Sequence, residues 1–321
     1  MLGIIVVTYK AVDETVNYVR QELRKVRTPH KIVIVNVAAS DETNTCLTEK
    51  LSACYVSDVD MEIDTSADIY VLGQPDNLGY AKGNNLGAGF LFKHFDDVDY
   101  LLITNTDIQL VDADVVERLI IAADADHRIG AVGPRVVDPQ GRYQTPLRAL
   151  SIWRFLVLPK LLPMVKSLHP AIRAYYSPLG NAGVSGRVDE VVGAFFLVKS
   201  RAFREAHGFD SWTFLYCEEA ILSKRLSSCG YSVYYVADTR VVHEHQKGTW
   251  TDIRCERRRE WILFHSRVYY YTRYHGVGPV ARAAAYLSMI VFLYAWLPLH
   301  YVLRRIMPAR RTCPVSGVSL K

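Results

Sequence analysis

Gly3-Ile4-Ile5-Val6-Val7-Thr8 and Lys31-Ile32-Val33-Ile34-Val35 are the two apolar runs from which the fold is read. Each is short and rich in β-branched residues. Each breaks into polar sequence, Thr8-Tyr9-Lys10 after the first and Asn36 after the second, as strands buried on both faces do. Between them Val12, Val16, Val19, Leu23 and Val26 recur at helical spacing, which predicts a helix over residues 11–26. A polar loop from Ala38 to Asn44 leads to a helix around residues 45–53 and a further strand, Ile69–Leu72. Strand, helix, strand, helix at this spacing predicts an α/β fold with a parallel sheet covered by helices.

The pattern continues outward from there. Pro75 closes the third strand, and residues 78–93 read as helical despite their glycines, whose small size implies close approach to a sheet or a ligand. Tyr100–Ile103 is a strand, residues 112–123 a helix, Ala131–Val136 the start of the next segment, and Asp138-Pro139-Gln140-Gly141 a turn. Leu147–Tyr176, with Trp153-Arg154-Phe155-Leu156-Val157-Leu158 at its centre, reads as an amphipathic insertion, either interfacial or packed on the domain. The strand pattern resumes at Val191–Val198, helices follow at residues 200–206 and 218–228, and two strands close it, Tyr231–Val236 and Thr239–Val242.

Half of the 321 residues are apolar and 22% are charged, a globular composition that excludes a disordered or fibrous chain. The six cysteines form no CxxC pair and no zinc-knuckle spacing, and the first residues lack a basic region followed by a signal-like stretch; both point to a reducing, cytoplasmic setting. The net charge of +5 hides an asymmetry. From Trp261 to Lys321 there is no Asp or Glu, and Arg254, Arg257, Arg258 and Arg259 lie just before. A basic tail beside apolar sequence fits anionic lipid better than nucleic acid. Within it, residues 283–303 carry no charge, the length of a spanning helix, but Pro298 and His300 interrupt the run and arginines flank both ends. Lying in the interface or re-entering, spanning, and packing as a core helix all remain open.

Four stretches carry candidate chemistry. Asn105-Thr106-Asp107 follows an apolar strand and therefore lies at the carboxyl edge of the sheet, where open α/β folds bind ligands. Asp107 there either holds a divalent cation that balances a diphosphate, with Asn105 beside it, or caps the next helix. Glu218 and Glu219 follow the aromatic run Trp212–Tyr216; one of them is placed to act as a general base, or both form the acidic first turn of a helix. His243 ends a strand, where it would hold a metal, contact phosphate, or be structural. Asn77-Leu78-Gly79-Tyr80-Ala81-Lys82-Gly83-Asn84-Asn85-Leu86-Gly87 is neither a Walker nor a dinucleotide motif, but suggests a helix start facing a nucleotide.

Together these stretches resemble the family 2 glycosyltransferases, especially the rhamnosyltransferase-like, capsular and exopolysaccharide branch. The likeness covers roughly residues 3–250, with the motifs in the family's order. Thr8-Tyr9-Lys10 stands at the family's first strand end, Asn36 at the position of its base-binding aspartate, and Asn77, Gly79, Lys82 and Asn84 in a segment that matches closely. Asn105-Thr106-Asp107 stands at the metal motif, Gly193-Ala194-Phe195-Phe196 at the acceptor-side strand, and His243 at the histidine that closes the metal site. Of the acidic pair, the second member, Glu219, matches the catalytic base, with Glu218 beside it; Ile221 replaces a second aspartate of many relatives.

The resemblance implies the GT-A nucleotide-diphospho-sugar transferase fold with a mixed, mostly parallel sheet over residues 1–255, and a membrane-associating helical tail over 256–321. It implies inverting transfer from a UDP- or dTDP-sugar, dTDP-rhamnose among the candidates, to a saccharide or lipid-linked saccharide. Mn²⁺ or Mg²⁺ would be held by Asp107 and His243, and the donor by Thr8, Tyr9, Asn36, Asn77, Gly79, Lys82, Asn84, Asn105 and Asp107. The place implied is the cytoplasmic face of a bacterial membrane, with no nucleic-acid partner and a homodimer left open. The competing readings are a nucleotide-sugar-binding chain of the same fold without turnover, and a nucleotidyltransferase. For the second, the sequence after Thr8 offers no glycine-rich triphosphate loop.

Overall fold

The computed structural model describes residues 1–161, 179–244 and 253–306. Its centre is a ten-stranded sheet. The first half is the predicted parallel unit: β1 (Leu2–Tyr9), α1 (Val12–Gln21), β2 (His30–Val37), α2 (Asp41–Leu51), β3 (Cys54–Val56), β4 (Ile69–Gln74), α3 (Gly79–His94) and β5 (Tyr100–Thr104). Then come β6 (Ile108–Leu110), α4 (Val115–Asp124), β7 (Ile129–Val137), the short α5 (Leu158–Leu161), β8 (Gly186–Val188) and β9 (Phe195–Lys199). The order across the sheet is β3-β4-β2-β1-β5-β9-β7, continuing through β10 (Ser232–His243) to β6, with β8 also on β10. Strands β3, β4, β2, β1 and β5 run parallel, and β9 runs antiparallel between β5 and β7. The fold class is as the sequence predicts: α/β, with a mixed, mostly parallel sheet flanked by helices.

Burial on both faces explains the continuous apolar runs. Ile4 and Val6 of β1 join a core with α1, α2 and α4, whereas Ile5, one residue on, joins the opposite core with α3. The glycines of α3 serve the sheet. A Cβ on Gly83 would stand 2.9 Å from Val7, and one on Gly87 2.7 Å from Ile5, so these residues let the helix backbone press against β1. Helix α2 begins four residues before the sequence suggests because Ser40 and Thr43 form a capping box. The two strands expected at 231–236 and 239–242 are one strand, β10, with an irregularity between Val236 and Arg240.

Helices α6 (Ser200–Glu205) and α7 (Glu218–Ser228) precede β10, and α8 (Ile253–His275), α9 (Pro279–Val291) and α10 (Leu297–Ile306) follow it. A π-helical turn, Phe292–Trp296, joins α9 to α10. These last helices share a core with the domain: Phe264, Val268, Ala285, Met289 and Leu293 pack with Ile221 of α7 and with Leu156. The start of the insertion, residues 147–161, packs here too, held by the ion pair of Lys160 with Glu260 at 2.5 Å; residues 162–176 of it lie outside the described residues. The stretch Pro279–Leu299 is long and apolar enough to cross a membrane, with mean hydropathy 1.6, and starts four residues before the uncharged run seen in the sequence.

Candidate active site

Four parallel strands deliver their last residues to one edge. There the backbone leaves β1 and β2 through Lys10 and Ala38, both with positive φ, 54° and 52°. Beside them opens a cleft of about 580 Å³ lined by Tyr9, Asn77, Gly79, Tyr80, Asn105 and Asp107, among others. The described residues that line it include the acids Glu14, Glu22, Asp107 and Glu244 and no Lys or Arg.

Asp107 stands between β5 and β6. Its main-chain carbonyl accepts Glu244 N–H at 2.8 Å, which ties the loop to the end of β10. Its side chain has one oxygen, Oδ1, buried without a hydrogen-bond partner, and the other, Oδ2, 3.3 Å from His243 Nε2. The opposite ring nitrogen of His243, Nδ1, lies 2.8 Å from Gln144 Oε1. An Nδ1–H donating to that oxygen leaves a lone pair on Nε2 turned to a carboxylate, an arrangement that a shared cation stabilises. One imidazole, one carboxylate and space beside them suit a divalent ion whose remaining ligands are phosphate and water oxygens. Among the described residues no group of three or more His, Cys, Asp or Glu gathers at one point, so the protein itself would supply a minority of the ligands.

The segment Asn77–Gly87 divides its duties. Asn77 Oδ1 accepts Gly79 N–H at 3.1 Å and shapes the turn. Gly79 has φ +71°, and a Cβ there would stand 2.3 Å from the Phe214 carbonyl oxygen. Tyr80 N–H donates to that same oxygen at 3.1 Å. Asn85 donates through Nδ2 to Phe209 O and accepts Phe209 N–H, both at 2.9 Å. The start of α3 is thereby stitched to the loop that carries the acidic pair. Asn84, buried, donates to Tyr80 O at 2.9 Å. Lys82 is exposed and, like Asn84, Thr8 and Asn36, is not part of the cleft lining. Asn36 is 2% exposed, and its amide nitrogen donates to Thr43 Oγ1 at 3.0 Å and Asn44 Oδ1 at 2.8 Å, so it fastens α2 to β2. Thr8 accepts from Thr15 Oγ1 at 2.8 Å. Of the residues expected to hold the donor, Tyr9, Asn77, Gly79, Asn105 and Asp107 line this cleft.

Glu218 and Glu219 open α7 after Tyr216 and Cys217, two consecutive non-glycine residues with positive φ, 76° and 69°. Their loop is braced against α8: Ser266 Oγ donates to Leu215 O at 2.7 Å, and Trp212 stacks on Tyr269 at 3.8 Å. Asp210 accepts the Tyr269 and Tyr274 hydroxyls at 2.8 and 2.6 Å, and Arg225 approaches it at 3.5 Å. Nothing in the sequence marks Asp210 as this strut.

Burial raises the Glu219 carboxyl above the usual range, against the opposing pull of backbone N–H and Arg267. Glu218, buried with Oε1 unpartnered, is pushed up to about 8 by burial and then by Glu219. Glu190, which the sequence reading passed over, is pushed up to about 8 by burial and then by the charges of Glu219 and Asp189.

Glu219 does not line the Asp107 cleft. It lines a second cavity of about 200 Å³. Tyr80 and Gly193 stand between the two: Tyr80 Oη donates to Gly193 O at 2.5 Å, and a Cβ on Gly193 would meet Tyr80 Oη at 3.3 Å and Glu219 Oε2 at 3.4 Å. The next residue, Ala194, accepts Asn105 N–H at 2.9 Å. Glu219 and the metal motif are therefore neighbours through Gly193-Ala194, with the Tyr80 phenol as the partition.

Comparison with known proteins places this geometry. Residues 179–314 match the family described as glycosyl transferase family group 2. The chain is 26% identical over 191 residues to the N-acetylglucosaminyl-diphospho-decaprenol L-rhamnosyltransferase of Mycobacterium tuberculosis, a match taking in 55% of this chain and 59% of that relative. It is 23% identical over 167 residues to the rhamnosyltransferase WbbL of Escherichia coli K12, 51% of this chain and 60% of that one. The matches thus span about three-fifths of the length of these relatives. Among solved structures, the mannosyltransferase PcManGT from Pyrobaculum calidifontis, in complex with GDP-Man and Mn²⁺, superposes with a TM-score of 0.56 at 14% identity, over 95% of this chain and 73% of that chain. GalNAc-T7 with UDP, GalNAc and Mn²⁺ gives 0.51 at 16% identity, over 84% and 50%. The chain has the GT-A fold of these solved structures, and part of it is similar to the glycosyl transferase family group 2 and to the two rhamnosyltransferases.

Proposed function

We propose that this protein transfers a sugar, with inversion, from a nucleotide-diphospho-sugar to a hydroxyl of a saccharide or lipid-linked saccharide. One observation carries the reading: among the described residues the cleft at the strand ends is lined by acids and by no Lys or Arg, and Asp107 there keeps one carboxylate oxygen without a hydrogen-bond partner and turns the other to His243. A diphosphate enters such a cleft only with a cation. Asp107 and His243 would hold that ion, Mn²⁺ or Mg²⁺, which supplies charge neutralisation to the departing diphosphate. Asn105, Asn77 and the backbone at Gly79 would position the donor. Glu219 takes the proton from the acceptor hydroxyl; the oxygen forms its bond to the anomeric carbon from the side opposite the diphosphate, and the bond from that carbon to the phosphate oxygen breaks. Burial among Tyr80, Gly193 and Cys217 raises the affinity of Glu219 for that proton.

A thermal-shift panel of UDP, dTDP and GDP, each with and without Mn²⁺, tests the donor half. One nucleotide is expected to stabilise the chain only when Mn²⁺ is present. No stabilisation by any of them would remove the donor reading. The alternative, donor binding without turnover, has its own observation in the Tyr80 partition between Asp107 and Glu219; a purified chain that binds nucleotide with Mn²⁺ yet hydrolyses and transfers nothing would favour it.

Membrane association belongs to the same proposal. Helix α9 and its extension bury Ala285, Met289 and Leu293 but expose Val280 (78%), Leu287 (61%) and Tyr294 (71%) along the other side, an apolar stripe with Arg282 at its start. That stripe fits the surface of an anionic bilayer, where a lipid-linked acceptor resides. Flotation with phosphatidylglycerol-containing vesicles, weakened by salt and absent with neutral vesicles, is the expected result; no flotation with either would refute the membrane contact.

A further inference from the structure

Among the described residues no other side chain hydrogen-bonds to the Glu219 carboxylate, so its direction follows from where the first turn of α7 is held. That turn ends a segment, residues 207–217, in which the non-glycine residues His207, Tyr216 and Cys217 have φ of 56°, 76° and 69°. Such a backbone persists only where its surroundings over-determine it. Asp210, buried, supplies that constraint. Its Oδ1 accepts Trp212 N–H at 3.0 Å, and its main-chain carbonyl accepts Thr213 Oγ1 at 3.1 Å. Its Oδ2 accepts the hydroxyls of Tyr269 and Tyr274 from α8 and stands 3.5 Å from Arg225 Nη2, in the second half of α7. Arg225 donates onward, through Nε to Tyr274 Oη at 3.0 Å and through Nη1 to His207 O at 3.2 Å and Gly208 O at 3.0 Å. One carboxylate thus ties the start of the segment, α7 and α8 together. Burial works against the charge of Asp210, but the Tyr274 hydroxyl, the Trp212 N–H, the Tyr269 hydroxyl and Arg225 outweigh it and hold the carboxyl below its usual range.

We propose that α8 belongs to the catalytic apparatus and not to a membrane tail: Tyr269 and Tyr274, closing on Asp210 together with Arg225, are positioning residues that aim Glu219. The catalytic sense rests on the transferase reading above. None of the four side chains lines the Asp107 cleft or the Glu219 cavity, so they act through the backbone that carries the base. The other side of α8 packs Phe264 and Val268 with Ala285 and Met289 of α9. One helix therefore has the base-bearing segment on one side and the apolar-striped helix on the other, and the catalytic unit does not end at residue 255. Aim is worth a great deal in such a site: a misplacement of about 1 Å far from the chemistry costs on the order of 10²-fold in rate.

The test uses the full chain and the double variant Tyr269→Phe, Tyr274→Phe, which removes the two hydroxyls and keeps the ring that stacks on Trp212. Hydrogen exchange, which needs no substrate, is expected to show the amides of residues 212–221 losing about tenfold in protection, the scale of one hydrogen bond to a charged group, while those of β1 and β5 keep theirs. In sugar transfer the variant is expected to lose about tenfold or more in kcat with the donor KM unchanged, because the Asp107 cleft is untouched. Asp210→Asn, which keeps an oxygen for the tyrosines, is expected to recover part of what Asp210→Ala loses. Unchanged exchange at 212–221, an equal loss of protection in β1 and β5, or an unchanged kcat in the loosened variant would each overturn the proposal. Local loosening in variants of a parent that transfers no sugar from any nucleotide donor would keep the brace and sink the transferase reading instead.

Discussion

Glu219→Gln is expected to keep nucleotide binding and to lose sugar transfer by about 10²-fold or more, the scale of a missing general base. The substitution is conservative in shape, and the carboxylate it removes makes no hydrogen bond among the described residues, so no partner is stranded. The side chain is positioned from below by the strained turn at Tyr216 and Cys217 and by the first turn of α7, neither of which depends on its charge. The pH dependence adds a second reading of the same residue. Burial holds the folded-state pKa above that of an ordinary glutamate, so the base form, and with it turnover, grows with pH above the usual carboxylate range. The stability linkage has the opposite sign. A raised folded-state pKa favours the neutral acid: stability is full below the unfolded value and is lost as pH rises through the folded one. The glutamine variant should lack the rise of activity with pH and should lose less stability than the parent as pH rises through the folded-state value. Equal transfer rates in variant and parent would remove Glu219 from its role.

The sequence made the sheet legible where strands are long and buried on both faces. Strands β1, β2, β4 and β5 read as unbroken apolar runs because helices cover both sides of them. Strands β3, β6 and β8 have three residues each, too few to show a period, and they did not register. The irregularity in β10 looked like a break because Asp238 and Thr239 interrupt the apolar pattern without ending the strand. The candidate site was legible only where a motif sits at a strand or helix end, as Asp107, His243 and Glu219 do. The Asn77–Gly87 segment announced function and delivers part of it: its glycines let α3 approach β1 and its Asn85 clamps Phe209. Asp210 finds its tyrosines 59 and 64 residues away, and Arg267 comes to line one cavity with Glu190 only after α8 has packed against α7. No local pattern encodes such meetings. Asn36, a polar residue at the same edge, turns its amide nitrogen inward because α2 offers it Thr43 and Asn44.

Asp107→Ala is expected to abolish the Mn²⁺-dependent part of nucleotide binding, lowering metal affinity by at least the roughly 10–100-fold that loss of even an outer partner of a ligand causes. Calorimetric titration of UDP, dTDP and GDP, with and without Mn²⁺, reads this without any turnover. The fold should survive, because the hydrogen bond that ties the loop to β10 uses the Asp107 main-chain carbonyl, and the side-chain Oδ1 has no hydrogen bond to lose. That orphaned oxygen separates the two meanings of the residue. A structural carboxylate would have its lone pairs satisfied within the protein, and its removal would lower the melting temperature while leaving the Mn²⁺ dependence as it was. A cation ligand gives the reverse: little change in melting temperature of the ligand-free chain and none of the gain on adding Mn²⁺. His243→Ala should reproduce the effect, and the double variant should lose little more than either single one, since both side chains act through one ion. Additive losses would mean that Asp107 and His243 face different partners, and the cation shared between them would have to be given up.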